Sequence, residues 1–336
     1  MYLSKRGGIY YVWYVNEAGR KRKVSTHFRR KAEALKFFRS FKESSQTSAR
    51  RRIPLSVFSS ELLSYVKTNY SATTLPIYRR AMDNLLSFAG DISLSSLSAW
   101  HFDQYKTQRL KTISPVTVNI ELRALKAAMN IAVRWKLLEK SPFERLQLAR
   151  LPEKAPAYFS KSDFEKLISI IQEGWLRDIV LFAALTGMRR GEVVNLCWAD
   201  VDLSRHLAHI QSNPTFKTKT GKRRTVPLSD AAYHLLMQRA NSSPCEYVFS
   251  LNDSKVMANW VTHKLKRYIR RLDLDDRLRF HSLRHTFASW LVQDGVSLYE
   301  VQKLVGHSNI AVTQVYSHLQ PEHLHDTVNR INVSLN

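Results

Sequence analysis

A multidomain, mainly α fold is what this sequence predicts. The expected parts are a small β-sheet plus helix at the N-terminus, an all-α bundle, and a mainly helical C-terminal part with a small antiparallel sheet. Three observations lead there. The 336 residues exceed what one hydrophobic core serves, so two or three domains are expected. Polar or proline-bearing stretches at 46–54 and 151–160 divide the chain. Apolar residues recur at helical spacing through most of what lies between and beyond them, whereas the first 30 residues carry aromatic and β-branched runs.

In chain order, IYYVWYV (9–15) and KVSTH (23–27) are β-rich and flank NEAGRKR, a turn composition, so a hairpin is expected. RRKAEALKFFRSFKE (29–43) follows as a helix with Ala34, Phe37, Phe38 and Phe41 on one side, closing a unit over 1–45. The Ser-rich, basic residues 46–54 are expected to be a linker. Residues 55–150 form the bundle, with helix starts expected at Ser71 and Ser114. The second has Pro115 in its first turn and Val118, Leu122, Leu125, Met129 and Val133 along one stripe. The last domain runs over 155–336. Ser160 or Ser162 caps its first helix, an apolar helix passes through 178–186, a hairpin from Leu207 to Leu228 turns at KTGK, and helices continue to 333.

Charge narrows the partner. Lys and Arg number 52 against 28 Asp and Glu, a net +24, which points to a polyanion and to nucleic acid before an acidic membrane surface. Half the surplus sits in residues 1–52, with 15 basic and 3 acidic side chains. Their aromatic and β-branched content is unlike a disordered basic arm, so a DNA-reading unit is expected, with a basic cap on the next domain as the plainer alternative. Arg20, Lys21, Arg22, Lys23, Arg29 and Arg30, together with Lys222 beside the later turn, are the candidate DNA-contacting residues. The longest apolar run, IVLFAAL (179–185), is far below the ~20 residues of a membrane span, and no signal-peptide core opens the chain. No membrane partner is expected, and the location read from this is the cytoplasm. Cys197 and Cys245 form no motif, consistent with a reducing compartment and with neither metal nor disulfide.

Four blocks in the last domain carry chemistry: TGMRRGEVVNL (186–196), FKTKTGKRRTVPL (216–228), HSLRHTFASWL (281–291) and VGHSNIAVTQVYSHL (305–319). In the third, His281, Arg284 and Ala288 share one helical face while Leu283, Phe287, Trp290 and Leu291 form another. The apolar side is therefore expected to dock on the core and His281 and Arg284 to face a cleft. In the first, Gly187 ends an element and Glu192 lies three residues after Arg189, close enough to pair with it; Arg190 is expected to face solvent. Taken singly, that pair is an ordinary helical ion pair. Jointly, two arginines, a lysine and two histidines can bind a phosphate and stabilise charge added to it. No nucleophile elbow, Walker loop or Mg²⁺-holding carboxylate set is present, which leaves Tyr316 as candidate nucleophile. A phenol has a reference pKa of about 10, but cations around a phosphate would favour its anion.

These blocks, in this order and with the SPVTVNIELRALKAAMNIAVRWKLLEKSPF helix, resemble the tyrosine recombinases of the phage integrase family over residues 53–320. The first 45 residues resemble, more weakly, the arm-type DNA-binding domain of integrases. The resemblance implies a core-binding helical domain at 55–150 and a catalytic domain at 155–336 with a C-terminal tail helix. It implies a DNA integrase of a phage or other mobile element, working through a 3′-phosphotyrosyl intermediate and a Holliday junction with no cofactor, metal or ATP. Arg189 and Arg284 would clamp the scissile phosphate. Lys219 would be general acid, with Lys217 and Lys222 flanking the same turn; His281 would assist proton transfer from the nucleophile; His307 would bond a nonbridging oxygen; Tyr316 would attack. His285 and His318 are read as structural. Implied partners are double-stranded DNA at core and arm sites, three further copies of the chain in a tetramer, and a host bending protein or excisionase, with a nucleoid-associated location. Leu324, Val328, Ile331 and Leu335 form a stripe that packs in cis or docks on a neighbouring protomer. The alternatives are a chromosome-dimer resolvase of the Xer type, which resembles this chain less for want of an N-terminal arm, and a non-catalytic DNA-binding repressor or architectural protein.

Overall fold

The computed structural model describes residues 1–15, 20–50, 53–144, 146–151, 155–212, 216, 221, 223–241 and 245–320, the side chains of 43–50 excepted. The chain divides into two compact units, Met1–Pro152 and Glu153–Asn336. Among the described residues no helix is long and apolar enough to cross a membrane.

The first unit opens with strands β1 (Tyr2–Arg6), β2 (Ile9–Val15) and β3 (Lys21–Ser25), paired antiparallel in that order. The expected β2–β3 hairpin is present, its turn at 16–19 lying outside the described residues. Strand β1 goes beyond the sequence expectation. Gly7 and Gly8, both at positive φ (57° and 82°), make the two-residue connection that returns it onto β2. One sheet face packs on α1 (Lys31–Arg50): Val12 and Ala34 are fully buried, and Tyr14 meets Phe41 edge-on at 5.3 Å. The opposite face presents Tyr2 stacked on Trp13, with the Lys23 ammonium 5.4 Å from the Tyr11 ring centre. Helix α1 continues to Arg50, so the first part of the expected linker is helical. Ser, Gln and Thr weaken a helix without ending it, and no Gly or Pro intervenes before Pro54.

Four helices complete this unit: α2 (Leu55–Asn69), α3 (Leu75–Ala89), α4 (Ala99–Leu110) and α5 (Pro115–Arg134). Helix α3 starts four residues later than Ser71, because Pro76 prefers the first turn, while Ser71 stays outside it, bonded to the Thr73 and Thr74 hydroxyls. The expected α5 start holds, with Ser114 Oγ accepting from Thr117 N and Pro115 leading the helix. Phe58, Leu62, Met82, Leu85, Phe102, Leu122, Leu125 and Met129 make the core.

A carboxylate lies inside that core. Glu121 accepts from Arg109 Nε (2.9 Å) and Nη2 (2.7 Å), Tyr105 Oη (2.7 Å) and Asn84 Nδ2 (2.9 Å). Full satisfaction makes its burial tolerable, and removing it strands four donor groups on three side chains. Glu121→Leu is expected to cost about 2–3 kcal/mol, below the range for fully buried pairs because Arg109 keeps a quarter of its side-chain surface exposed. Urea unfolding of the full chain checks this; an unchanged midpoint would count against it.

The second unit contains α6 (Lys161–Ile170), α7 (Gly174–Thr186), α8 (Arg190–Val194), strands β4 (Val201–Asp202), β5 (Leu207–Ile210) and β6 (Arg224–Pro227), α9 (Asp230–Ala240), the short pair β7 (Ser250–Leu251) and β8 (Ser254–Lys255), then α10 (Ala258–Arg271), α11 (Phe280–Gln293) and α12 (Leu298–Val305). Ser160 caps α6 as expected. The expected hairpin is β5 against β6 in a three-stranded antiparallel sheet with β4. Helix α11 departs from the expectation of one apolar and one open face. Leu283 enters the main core, and Ala288 and Val292 enter a second cluster with Val301, Val305 and Tyr316. Thr286 and Trp290 also hydrogen-bond the Phe159 backbone, so α11 is enclosed on both sides.

Candidate active site

Helix α7 ends at Gly187, whose φ of +61° is left-handed, and a Cβ there would lie 2.5 Å from Phe287 Cδ1. Glycine alone meets both conditions. Its carbonyl accepts from Arg284 Nη1 at 2.8 Å, tying α7 to α11. Two residues on, Arg189 caps α8, and Glu192 reaches back to accept from Arg189 N (2.8 Å) and Nη1 (2.9 Å). Arg224, at the head of β6, donates Nη1 and Nη2 to the same carboxylate at 2.8 and 2.7 Å. Gly306, in the left-handed cap of α12, lies against Arg224: a Cβ there would be 2.6 Å from its Cδ.

Burial alone would raise the Glu192 carboxyl, but the hydrogen bonds and charge of Arg224, with the donors of Arg189, outweigh it and bring it to about 2. Its folded value thus lies below its unfolded 4.5, so the contribution is present in full above about 4.5 and is lost as pH falls toward 2. The size is on the order of 3 kcal/mol. Urea midpoints of the wild type are expected to fall across this window, whereas Glu192→Gln starts lower and lacks this component of the slope.

Arg284 has no such countercharge. Its side chain is 2% exposed, no carboxylate bonds it among the described residues, and Nη2 has no hydrogen-bond partner there. Burial, with Arg189 and Arg224 adding to it, pushes its pKa down. Three guanidiniums therefore surround one carboxylate. An anion would complete the set.

Around this cluster stand three imidazoles and a phenol. Tyr316, 2% exposed on the turn Gln314–Leu319, is pushed up to about 12 by burial, with Arg284 opposing. Its hydroxyl and His285 Nδ1 share a hydrogen bond of 2.5 Å. His307 bonds Thr313 Oγ1 at 2.9 Å and is pushed down to about 4 by burial, then by Arg284, Arg189, His281 and Arg224. His281 is exposed and its ring meets His285 edge-on, centroids 4.8 Å apart. A concavity of about 360 Å³, lined by Arg189, Arg190, Gly191, Thr262, Arg279, Phe280 and His281, adjoins these groups.

The match to known proteins is direct. The model of the phage integrase family matches residues 157–323, and that of the phage integrase SAM-like domain matches 54–148. Tyrosine recombinase XerA of Pyrococcus furiosus is 30% identical over 233 residues, 67% of this chain and 77% of that protein. The chain belongs to the tyrosine recombinases of the phage integrase family. Tyrosine recombinase XerC of Bacillus subtilis is 27% identical over 285 residues, 78% of this chain and 91% of that protein. Among solved structures, a lambda integrase tetramer bound to a Holliday junction aligns with a TM-score of 0.67 at 16% identity, covering 91% of this chain and 95% of that one; at that identity it bears on fold alone.

The recombinase brings together five of the six expected catalytic positions: Arg189, His281, Arg284, His307 and Tyr316. Lys219 and its neighbours Lys217 and Lys222 lie outside the described residues; Gly221 of that turn has φ +67°. Arg190 is half-buried and donates to Thr262 Oγ1, because α10 packs beside α8, and so does not simply face solvent. His285, expected to be structural, bonds the phenol; His318 is exposed. Arg224 is the member missed from sequence. Its signal was present, since Arg224, Val226 and Leu228 alternate on the inward face of a strand. Of the candidate DNA-contacting residues, Lys21 and Lys23 share the outer sheet face with Tyr11 and Trp13, while Arg29 and Arg30 precede α1 and are exposed.

Proposed function

We propose that this site-specific recombinase cuts and rejoins double-stranded DNA through Tyr316. Tyr316 Oη forms a bond to the scissile phosphorus, the bond to the 5′ oxygen breaks, and the departing oxygen takes a proton from Lys219. Arg189 and Arg284 hold the nonbridging oxygens with His307, the phenolic proton leaves Oη as it attacks and passes to His281, which assists its transfer, and the ester on Tyr316 conserves the bond energy for rejoining. One observation carries this reading: among the described residues, Arg284 is buried with no carboxylate bonded to it, beside a phenol, in a cluster whose one shared anion is Glu192. A phosphate supplies the missing charge.

The organisation that fits is an arm-type unit at 1–45, a core-binding bundle at 55–150 and a catalytic domain from 155. The tail stripe Leu324, Val328, Ile331 and Leu335, outside the described residues, would dock on a neighbour in a tetramer on DNA. Lambda integrase, which shares this fold, is solved as a tetramer on a Holliday junction, the assembly proposed for this chain, and a host bending protein or excisionase would complete it. The long matches to the XerC and XerA recombinases favour a second reading, a chromosome-dimer resolvase. Residues 1–53 fall outside both family matches and, with their excess charge, favour a mobile-element integrase.

Incubation with nicked target DNA in EDTA tests the chemistry. A protein–DNA adduct that resists SDS is expected; its absence with intact binding would make the chain a repressor or architectural protein. Deleting residues 1–52 tests the arm, which should flatten the salt dependence of binding by about 0.9 per lost phosphate contact. An unchanged slope would leave it a cap.

A further inference from the structure

His285 is the one imidazole in direct contact with the nucleophile, among the described residues, and the roles above give it nothing to do. Helix α11 places it next to Arg284 and four residues after His281, so all three crowd the same end of the site. Its Nδ1 lies 2.5 Å from Tyr316 Oη, and its ring also lines a second concavity of about 350 Å³ with Ala155, Pro156, Ala157, Arg277, Arg279 and His281. Tyr316 is buried and His285 half-buried, so the contact is not a passing surface encounter.

We propose that His285 is the positioning residue of the nucleophile: its Nδ1 accepts the phenolic hydrogen bond and fixes Oη beside Arg284, a role that needs an acceptor at that point and not a base. This rests on the reading of Tyr316 as nucleophile. The groups facing His285 are positive or neutral: His281, Arg284 and Arg279 from its own helix and its start, and His307 from the segment after α12. Burial and these neighbours hold the imidazole at about 4, while burial holds the phenol at about 12, so the proton stays on oxygen and Nδ1 serves as acceptor. His281 lies one helical turn away and is exposed to substrate.

Single-turnover adduct formation on nicked DNA, with saturating full-length protein, separates the possibilities. His285→Leu keeps bulk and removes the acceptor, and is expected to slow cleavage roughly 10²-fold, the scale of a nucleophile displaced by about 1 Å. His285→Asn puts Oδ1 near the Nδ1 position and is expected to stay within about tenfold of wild type. Asparagine falling with leucine, by the ~10²–10⁴-fold that a general base supplies, would make His285 the proton acceptor and overturn the proposal. Wild-type rates in both would overturn it too. If the leucine variant fails to bind DNA, His285→Ala takes its place in the same comparison. A wild type with no adduct, or an adduct that survives Tyr316→Phe, would instead mark failure of the nucleophile assignment itself.

Discussion

Tyr316→Phe is expected to bind target DNA as the wild type does and to form no covalent adduct. The ring packs with Ala288, Val292, Val301 and Val305, and phenylalanine keeps all of that surface. What goes is one oxygen and its hydrogen bond to His285, a stability change of about 1 kcal/mol. Because fold and binding persist while the attacking atom does not, the loss should be complete rather than graded. An SDS gel of protein with nicked DNA reads it directly, and a persistent adduct would move the nucleophile elsewhere.

Arg284→Ala has the next largest effect, a fall in cleavage of about 10²–10³-fold, the scale of removing one preorganised donor from a developing oxyanion. The free protein is expected to lose less stability than most core truncations cost. Arg284 is buried with one guanidinium nitrogen unpartnered and two like charges nearby, so its removal relieves an electrostatic cost while opening a cavity. Melting temperature should therefore drop less than for Glu192→Leu, which strands Arg189 and Arg224 together. Cleavage at the wild-type rate would place the phosphate clamp on other residues.

Much of this could be read from the chain because local signals and tertiary packing agree. Ser114 with Pro115, and Ser160, open helices where capping chemistry says they should. The IYYVWYV run pairs as a strand, and the Arg189–Glu192 spacing forms its ion pair. Disagreement appears where a second element decides. Strand β1 is only five residues long, a weak periodic signal, and rests on a two-glycine turn. The start at Ser71 yielded to Pro76, and the Ser-rich stretch after 43 stayed helical for lack of a breaker. Helix α11 defeats any two-face reading, since core residues press on it from both sides and polar Thr286 and Ser289 are buried with the apolar ones. Spacing could show that His285 and His281 share a face, but not that the loop carrying Tyr316 folds back onto that helix.

The single carboxylate of Glu192, held by guanidiniums from two distant segments, gives Arg189 and Arg224 a shared fate. With one of them gone, the survivor has the acidic group to itself, so the penalty for losing both differs from the total of the separate losses. Substitutions at 189, 192 and 224 should therefore show strong epistasis, and the three positions drift as a set rather than one at a time.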